Sequence, residues 1–303
     1  MRHHTSLRCI DAVARAGSIR AAAEQLALTS TALNRRILAF EEELGVAIFE
    51  RTTRGVRLSS AGEIVIHHIR NQLSDMERVR SQIADLSGFR RGQVAIACSQ
   101  ALLPYFLPRQ ITAYREQHPL VRFTVLLRDR DAAERALAEH SADLAIVFEP
   151  LRLSQIQPIV RVHQPVCAVV SAKHPLASCT SLRRADCLDY PLALPARGSG
   201  VRKLLDAAEE RSSIGLEPMI ESDSFEFLRQ YVDRAQAVTF QIPIGLDPFR
   251  DGPDALCAIP LDTSEVPPGT LFMGQLRDRT LPVAAARFAQ QLVAAFADHF
   301  EVS

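Results

Sequence analysis

The sequence contains no apolar run that approaches the ~18 residues of a membrane-spanning helix. Its first ten residues lack the apolar core and the small-residue cleavage site of a secretory signal. The 6 cysteines show neither CxxC nor metal-type spacing, and the 9 histidines include no HExxH motif. Lysine is nearly absent, because Lys173 and Lys203 are the only copies. These absences predict a cytoplasmic protein with reduced thiols, no metal, no cofactor and no membrane partner.

The length and the charge distribution of the chain indicate how many domains it has and where it could bind nucleic acid. A chain of 303 residues with 47% hydrophobic residues can fill the cores of two or three domains. The net charge is zero, but residues 1–92 carry 14 basic against 10 acidic side chains, and residues 93–303 carry 21 against 25. A weakly basic amino-terminal segment permits nucleic-acid binding at that end, although so small an excess does not establish it.

The amino-terminal segment begins with two predicted helices. Apolar residues at helical spacing predict a helix over about 5–16, which ends at Gly17. Ser18 can cap a second helix that runs through Leu26. Small alanines in this second helix allow a neighbouring helix to approach closely, and a brief turn follows.

A third helix is predicted from a cap at Thr29 or Ser30 to about Leu44, with Gly45 ending it. One face is apolar and is expected to dock on the first two helices. Its predicted buried stripe contains Leu33, Ile37, Phe40 and Leu44. The amino-terminal half of the other face offers hydroxyl, amide and guanidinium groups.

Those polar groups are the ones that read DNA in the major groove, where Arg pairs with guanine and Asn with adenine. Any solvated helix face carries such residues, but here two helices are joined by a short turn and followed by residues 49–58. That segment combines a glycine turn signal with three arginines and predicts a wing that contacts backbone phosphates. The predicted DNA-binding residues are Ser30, Thr31, Asn34, Arg35, Arg51, Arg54 and Arg57.

Four segments in this region carry a family resemblance. They read GSIRAAAEQL at 17–26, ALNRRI at 32–37, LGVAIFER at 44–51 and LSSAG at 58–62. In order, spacing and residue type they resemble the amino-terminal domain of LysR-type transcriptional regulators. The resemblance implies an all-α winged helix-turn-helix domain over 1–59 that binds near-palindromic double-stranded DNA. The family usually has Gln, Ser and Gln where this chain has Ser30, Asn34 and Arg36, which leaves the operator sequence open.

A long helix is predicted next, over about 60–90. Ser60 and Glu63 have the spacing of a capping box. An apolar seam then repeats at alternating threes and fours through Ile66, Ile69, Leu73, Met76 and Ile83, with Arg80 interrupting it. Packing against its own domain is one explanation. The family resemblance implies instead a linker and dimerisation helix, in a homodimer or homotetramer.

From residue 91 onward, strand and helix patterns alternate. Predicted strands at 94–98, 123–127 and 144–148 alternate with helices, which indicates a parallel α/β sheet. A second such region is predicted, with strands near 165–170, 192–194 and 238–240 and helices near 201–211 and 225–234. A strongly apolar helix over about 283–300 closes the chain and must be covered.

Residues 91–303 resemble the effector domain of the same family. The carrying pieces are Leu-Pro at 107–108, His-Pro at 118–119, ADLA at 142–145 and HPLA at 174–177. The resemblance implies a two-lobed α/β fold like that of type 2 periplasmic binding proteins. One lobe is expected to contain about 92–162 and 268–303, and the other about 163–267, with a ligand cleft between them.

A small-molecule effector, expected to be anionic, is predicted in that cleft. Ligands of open α/β sheets bind beyond the carboxyl ends of strands, and a helix amino terminus favours an anion. By resemblance to the family, the polar candidates are Ser99, Gln100, Ser199 and Gln241, and the apolar walls are Phe148 and Phe240. An ordinary helix cap or turn is the competing explanation for each. Residues 236–243 depart from the family's glycine-rich turn.

Two other functions compete with this interpretation. An enzyme on the two-lobed module lacks sequence support, because no GxSxG, Walker loop, paired-carboxylate motif or dinucleotide fingerprint occurs, and no catalytic residue is predicted. A thiol-switched regulator of the same family would need Cys179 and Cys187 to pair through a mobile loop. The effector's identity and the sign of regulation stay open.

Overall fold

The computed structural model describes residues 2–53, 55–86, 92–150, 155–212, 215–246 and 256–302. The chain divides into two compact units, Met1–Ser87 and Gly88–Ser303. The first unit contains helices α1 (Arg2–Ala16), α2 (Ile19–Gln25) and α3 (Ser30–Leu44), strands β1 (Phe49–Thr52) and β2 (Gly55–Leu58), and helix α4 (Ser60–Leu86). In the described part of the chain, no helix combines the length and the hydropathy that crossing a lipid bilayer requires.

Helices α2 and α3 begin at capping residues that the sequence predicts, whereas α1 begins at Arg2, about three residues earlier than predicted. The Ser18 hydroxyl accepts a hydrogen bond from the Ala21 amide at 3.3 Å and caps α2. Of the two candidates for α3, Thr29 is the cap, because its Oγ1 accepts from the Ala32 amide at 3.2 Å. Gly45 ends α3 in the left-handed conformation, with φ +72°. Local capping chemistry therefore determines these boundaries.

The buried stripe of α3 is one turn shorter than predicted. Leu33, Ile37 and Phe40 lie in the core of the first unit, but the prediction for Leu44 is wrong, since 44% of this residue is exposed. Gly45 and Val46 are exposed beside it. The last turn of α3 therefore extends past the apolar surface that α1 and α2 provide, which periodicity alone does not reveal.

Strands β1 and β2 form an antiparallel hairpin that packs on the α1–α2 turn. The Val56 amide donates to the Gly17 carbonyl at 2.9 Å. Gly55 has φ +147° and lies so close to this carbonyl that a side chain would collide with it. Glycine at position 55 thus permits both the hairpin turn and its contact with the helical body.

The long helix α4 is capped one residue earlier than predicted. The Ser59 hydroxyl, not that of Ser60, accepts from the Gly62 amide at 2.9 Å. It also donates to the Ala47 carbonyl at 2.7 Å, and this tertiary contact selects the first of the two serines. Gly62 packs directly against the backbone of Ile48, where a Cβ atom would not fit.

The predicted apolar seam of α4 has two environments. Ile66 and Ile69 are buried in the core of the first unit, and Leu73 packs at its margin. Met76 and Ile83 are 42% and 58% exposed. The amino-terminal half of the seam therefore packs against its own domain, whereas these two carboxyl-terminal positions lie at the surface.

The second unit is an α/β structure. Its elements are β3 (Gly92–Cys98), α5 (Phe106–Gln117), β4 (Val121–Leu127), α6 (Arg130–Ala138), β5 (Leu144–Phe148), β6 (Ile156–Gln164), β7 (Cys167–Ser171), β8 (Ala193–Pro195), α7 (Gly200–Glu209), β9 (Ile220–Ser222), α8 (Phe225–Ala235), β10 (Thr239–Gln241), β11 (Leu256–Pro260), β12 (Gly269–Leu276) and α9 (Val283–Ala297). Short 3₁₀ turns connect several of them.

The first lobe contains a five-stranded sheet in the order β4-β3-β5-β12-β6. Strands β3, β4 and β5 are parallel, as the sequence predicts. Strand β12 was not predicted, and it inserts antiparallel between β5 and β6. It returns from the far end of the chain, so its pairing leaves no local signal. Helix α9, predicted to be covered, buries residues such as Phe288 and Phe296 in the core.

The second lobe is less parallel than predicted. Strand β7 pairs antiparallel with both β10 and β11, while β8 and β9 pair in parallel. One isolated parallel bridge pairs Leu192, which precedes β8, with Val238, which precedes β10. The chain passes between the two sheets twice, through 165–166 and through 261–268. The apolar runs predict these strands, but partners distant in sequence decide their direction.

Candidate DNA-binding and effector sites

The outward face of α3 presents the predicted base-reading groups. Ser30, Thr31 and Arg35 are exposed, and Asn34 is half-buried beside them. Because Thr29 supplies the cap, the hydroxyls of Ser30 and Thr31 are not used for that purpose. The first turns of α3 therefore display hydroxyl, amide and guanidinium groups on one surface, where a recognition helix has its base contacts.

The hairpin β1–β2 carries the other predicted cations. Arg57 faces Glu50 across the two strands, and its Nη2 lies 2.7 Å from the Glu50 Oε2. Both side chains are largely solvent-exposed. Arg51 is exposed opposite Val56. Arg54 lies outside the described residues. Of the two described wing arginines, Arg57 is thus paired with a carboxylate.

A residue that sequence reasoning missed fixes the wing relative to α3. The Glu41 carboxylate on α3 accepts from the amides of Ile48 and Phe49 at 2.7 and 3.1 Å. It therefore connects the base-reading helix to the start of β1 through two charge-assisted hydrogen bonds. The sequence does not predict this contact, because a glutamate on a polar helix face is ordinarily solvated and the contact forms only after the chain reverses at Gly45.

A cavity of about 310 Å³ lies at the carboxyl ends of strands from both lobes. The first lobe contributes residues that follow β3, β4 and β5, and the second contributes residues that follow β8, β9 and β10. Four of the six predicted effector residues line it, namely Ser99, Gln100, Phe148 and Ser199. This position is the usual one for ligands of open α/β sheets.

Gln100 connects the two lobes across the cavity. Its Oε1 accepts from the Phe225 amide at 3.0 Å, and its Nε2 donates to the Asp223 carbonyl. Both partners lie at the start of α8 in the second lobe. The Ser99 hydroxyl accepts from the Phe148 amide at 3.3 Å within the first lobe. Gln100 therefore holds the described conformation closed on this side.

Ser199 and the start of α7 form the opposite wall. The Ser199 hydroxyl caps α7 by accepting from the Arg202 amide at 3.1 Å. Gly200 packs so tightly on the Phe148 ring that an added Cβ would lie 2.7 Å from Cδ1. The positive end of this ten-residue helix therefore borders the cavity and favours a negatively charged ligand group.

Phe240 and Gln241 do not line the cavity, and both are fully buried. The Gln241 Oε1 accepts from Arg229 at 3.0 Å, and its Nε2 donates to the Phe225 carbonyl at 3.2 Å. Strand β10 is internal to the second lobe, so these two side chains point into its core. Their connection to the cavity runs through Phe225, which does line it.

Four charged residues that were not predicted also line the cavity, namely Asp129, Arg130, Arg197 and Asp223. The Arg130 Nε donates to the Glu149 carbonyl at 2.6 Å, while its buried Nη2 has no partner among the described residues. Partial burial and the nearby Asp223 raise the pKa of Asp129. Asp129 and Arg130 follow β4, so the strand-end rule could have found them. Asp223 follows β9, which the sequence did not predict.

A larger and more open groove, of about 930 Å³, lies at the opposite end of the first sheet. It is bordered by the amino ends of β3 and β4 and by α5. The smaller cavity is the stronger candidate for an effector site despite the larger volume of the groove, because charged donors and a helix amino terminus border it. In the described ranges, no group of three or more His, Cys, Asp or Glu side chains is arranged to hold a metal ion.

The thiols relevant to the redox alternative have different environments. Cys187 is buried and Cys179 is exposed, and neither forms a disulfide. Burial, with Asp186 and Glu265 nearby, raises the pKa of Cys187 to about 12. Burial also raises the pKa of Cys98 and of Cys167 to about 12. A thiol that stays protonated at neutral pH is a poor nucleophile, so this geometry does not favour a switch at Cys187.

Comparison with known proteins identifies a matching family for both the amino-terminal and the carboxyl-terminal part of the chain. Residues 4–63 match the family model of bacterial regulatory helix-turn-helix proteins of the lysR family. Residues 87–297 match the LysR substrate binding domain. The HTH-type transcriptional regulator CbbR of Sinorhizobium medicae is 30% identical over 216 residues, which cover 70% of this chain and 69% of that protein.

Solved structures show the same fold. A full-length OxyR variant from Pseudomonas aeruginosa superposes with a TM-score of 0.71 at 20% identity, covering 97% of this chain and 93% of that one. The effector binding domain of QuiR in complex with shikimate superposes with a TM-score of 0.56 at 15% identity, covering 70% of this chain and 100% of that one. The chain belongs to the LysR family of DNA-binding transcriptional regulators, with an amino-terminal helix-turn-helix domain and a two-lobed effector-binding domain.

Proposed function

We propose that this regulator responds to a small carboxylic acid bound in the cavity between its two lobes. The observation that carries the proposal is that the α7 amino terminus and the cationic residues Arg130 and Arg197 border one cavity. Ser99, Gln100 and Ser199 supply further polar groups, and Phe148 supplies an apolar wall. The QuiR domain, which has this fold and was solved with shikimate, a carboxylic acid, supports this choice of ligand class.

The DNA-reading surface is the exposed face of α3 together with the wing. Asn34 and Arg35 reach base edges, helped by the hydroxyls of Ser30 and Thr31. Arg51, Arg54 and Arg57 contact phosphates and contribute affinity without sequence preference. The support is that the described members of this set lie on one domain, all exposed except Asn34, which is half-buried beside them.

The protein binds DNA as a dimer formed through the distal half of α4. Met76, Val79 and Ile83 expose apolar surface there, beyond the part of the helix that its own domain covers. Pairing this surface with a second copy would remove it from water and place two recognition helices on a near-palindromic operator. Two such dimers can associate into a tetramer.

Effector binding controls DNA binding through the angle between the lobes. A ligand that contacts both walls of the cavity stabilises the closed arrangement relative to an open one. In an assembly of several copies, that change alters the spacing of the recognition helices. The regulator performs no catalysis in this scheme and acts in the cytoplasm, where its DNA target lies.

Mobility-shift titration against fragments of the protein's own upstream region, at low ionic strength, tests the DNA-binding surface. We expect one fragment to bind preferentially and Asn34→Ala to reduce that preference, with a loss of about 1–3 kcal/mol at one base position. Arg51→Ala should weaken binding to all fragments alike. A protein that ignores every fragment contradicts the assignment.

Thermal unfolding with cyclohexanecarboxylate and shikimate tests the effector site. We expect either acid to raise the unfolding temperature and Arg130→Gln or Ser199→Ala to reduce that increase. Lys173→Gln, a surface change in the second lobe away from the cavity lining, is the matched control. A shift that survives both cavity substitutions would place the acid elsewhere.

A further inference from the structure

The cavity that binds the proposed carboxylate also contains two carboxylates of its own, Asp129 and Asp223. Asp129 follows β4 in the first lobe, and Asp223 follows β9 in the second. The two residues therefore approach the cavity from opposite lobes. A ligand that filled the cavity with apolar atoms alone would bring these carboxylates out of water without a partner, which is unfavourable.

Neither carboxylate is used by the protein itself. Asp129 occupies the cap position of α6, but its side chain makes no capping hydrogen bond. The cap of α8 is Ser224, and Asp223 contributes only its backbone carbonyl, to Gln100. Among the described residues, no side chain or amide donates to either carboxylate. Their oxygens are consequently available to donors that a ligand brings.

Both carboxylates border one cavity of about 310 Å³, and both residues are solvent-exposed. Partial burial, and then the charge of Asp223, raise the pKa of Asp129. Like charges that approach from two lobes oppose closure of the cleft, and a donor placed between them removes that opposition. Such a donor gains most when both lobes are close, so its binding energy distinguishes the closed state from the open one.

The positive groups of the cavity belong to a different set of residues. Arg130, Arg197 and the amino terminus of α7 favour an anion, as the proposed function requires. A ligand that satisfies both sets must carry charge or polarity of opposite kinds. A simple apolar acid satisfies only the positive set.

We propose that the effector is a carboxylic acid that also carries hydrogen-bond donors, as hydroxyl or ammonium groups, and that Asp129 and Asp223 bind those donors from the two lobes. This inference rests on the proposed function, because it names the class of ligand for the same cavity. Hydroxyl and ammonium donors share the required chemistry, and the choice between them is an outcome of the test.

The test is calorimetric titration of the full-length protein with three ring acids of similar size. Cyclohexanecarboxylate has no donor, quinate adds hydroxyls, and trans-4-aminocyclohexanecarboxylate adds an ammonium. We expect quinate or the amino acid to bind about tenfold more tightly than cyclohexanecarboxylate, as one charge-assisted hydrogen bond predicts. The tighter of the two identifies the donor.

Asp129→Asn and Asp223→Asn should each reduce that advantage to about twofold while the affinity for cyclohexanecarboxylate stays nearly unchanged. Asp189→Asn is the matched control, because Asp189 is an exposed aspartate of the same unit that does not line the cavity. It should leave all three affinities as they are. An advantage that survives both cavity substitutions overturns the inference.

The remaining outcomes separate this inference from the proposed function. If all three acids bind equally and Arg130→Gln weakens all of them, the inference is rejected but the proposed carboxylate site is retained. If none of the acids binds at concentrations up to about 10 mM, both are rejected, since a millimolar affinity is the weakest a physiological effector site would need.

Discussion

Arg70 on α4 donates through Nε to Asp11 on α1, with 2.8 Å between Nε and Oδ1. The two side chains are 11% and 14% exposed, and Asp11 also accepts from Arg15 at 2.8 Å. The linker helix is therefore joined to the helix-turn-helix body by an ion pair that is largely shielded from water. Removing Arg70 would leave the shielded Asp11 carboxylate with Arg15 as its remaining partner, so its charge would be only partly compensated.

Arg70→Ala is expected to destabilise the first unit by about 1–3 kcal/mol, below the cost of breaking a fully buried pair, because Asp11 keeps its pair with Arg15. Hydrogen exchange of the α1 and α4 amides measures this directly, whereas a single transition temperature would mix the two units. Arg20→Ala is the matched control, because Arg20 and its partner Glu24 are both largely exposed. Equal protection in both variants would show that the pair is dispensable.

The pair between Arg57 and Glu50 predicts an unusual gain of affinity. Glu50 pairs with a wing cation, and in the proposed DNA complex it would also place a negative charge near the phosphates. Glu50→Gln should therefore tighten binding to all sequences and steepen the dependence of log K on log salt by about 0.9, the value for one additional phosphate contact. Glu43→Gln, at an exposed acid in the last turn of α3, provides the control.

Mobility-shift titrations at several salt concentrations give both quantities. If Glu50→Gln weakens binding or leaves the slope unchanged, the ion pair positions Arg57 for DNA rather than competing with it. Such a result would reverse the role that we give to Glu50.

The exposed half of α4 predicts the oligomeric state. Met76→Glu should shift the protein towards monomers, because a charge at the centre of an apolar seam opposes pairing. Ile64→Glu is the control, since Ile64 is 75% exposed on the same helix and lies about 120° away from Met76 around it. Sedimentation analysis distinguishes the two variants. Identical distributions for both would exclude this seam as the interface.

His174 predicts a dependence of stability on pH. This residue is 3% exposed, its Nδ1 accepts from the Leu176 amide at 3.1 Å, and its ring lies 4.3 Å from that of Tyr190. Burial lowers the pKa of His174 below its ordinary value of 6.5, and the backbone of Gln236 partly offsets this. The unfolded chain consequently binds the proton more readily than the folded chain.

Stability from this group is fully present above pH 6.5 and is lost as the pH falls below that value, through the lower pKa of the folded chain. His174→Asn, which can still accept from the Leu176 amide, should reduce the loss of unfolding temperature between neutral and mildly acidic pH. His67→Asn, at an exposed position on α4, should not. An unchanged pH profile in His174→Asn would assign the acid sensitivity to other groups.

Part of the architecture follows from short-range chemistry. Thr29 and Gly45 define α3 because a side-chain hydroxyl satisfies orphan amides and a glycine adopts a left-handed conformation, and both effects act within a few residues. The same holds for Ser199 at α7. The three parallel strands of the first lobe are continuous apolar runs and are equally evident in the sequence.

Other features depended on which segments meet in space. The choice of Ser59 over Ser60 as a cap required the Ala47 carbonyl, and the exposure of Leu44 depended on where its neighbours end. Strand β12 returns from a distant part of the chain, and Gln241 lies in the core because β10 is internal.

The amino-acid sequence by itself determined the helix-turn-helix segment, since that segment depends on local periodicity and capping. Its motifs, through their resemblance to the LysR family, indicated the family and the two-lobed domain. Only the tertiary structure decided that Asp129 and Asp223 face the same cavity from separate lobes. Their shared position depends on how the two lobes meet, through contacts such as that of Gln100 with the Phe225 amide, and no pattern within either segment encodes that arrangement.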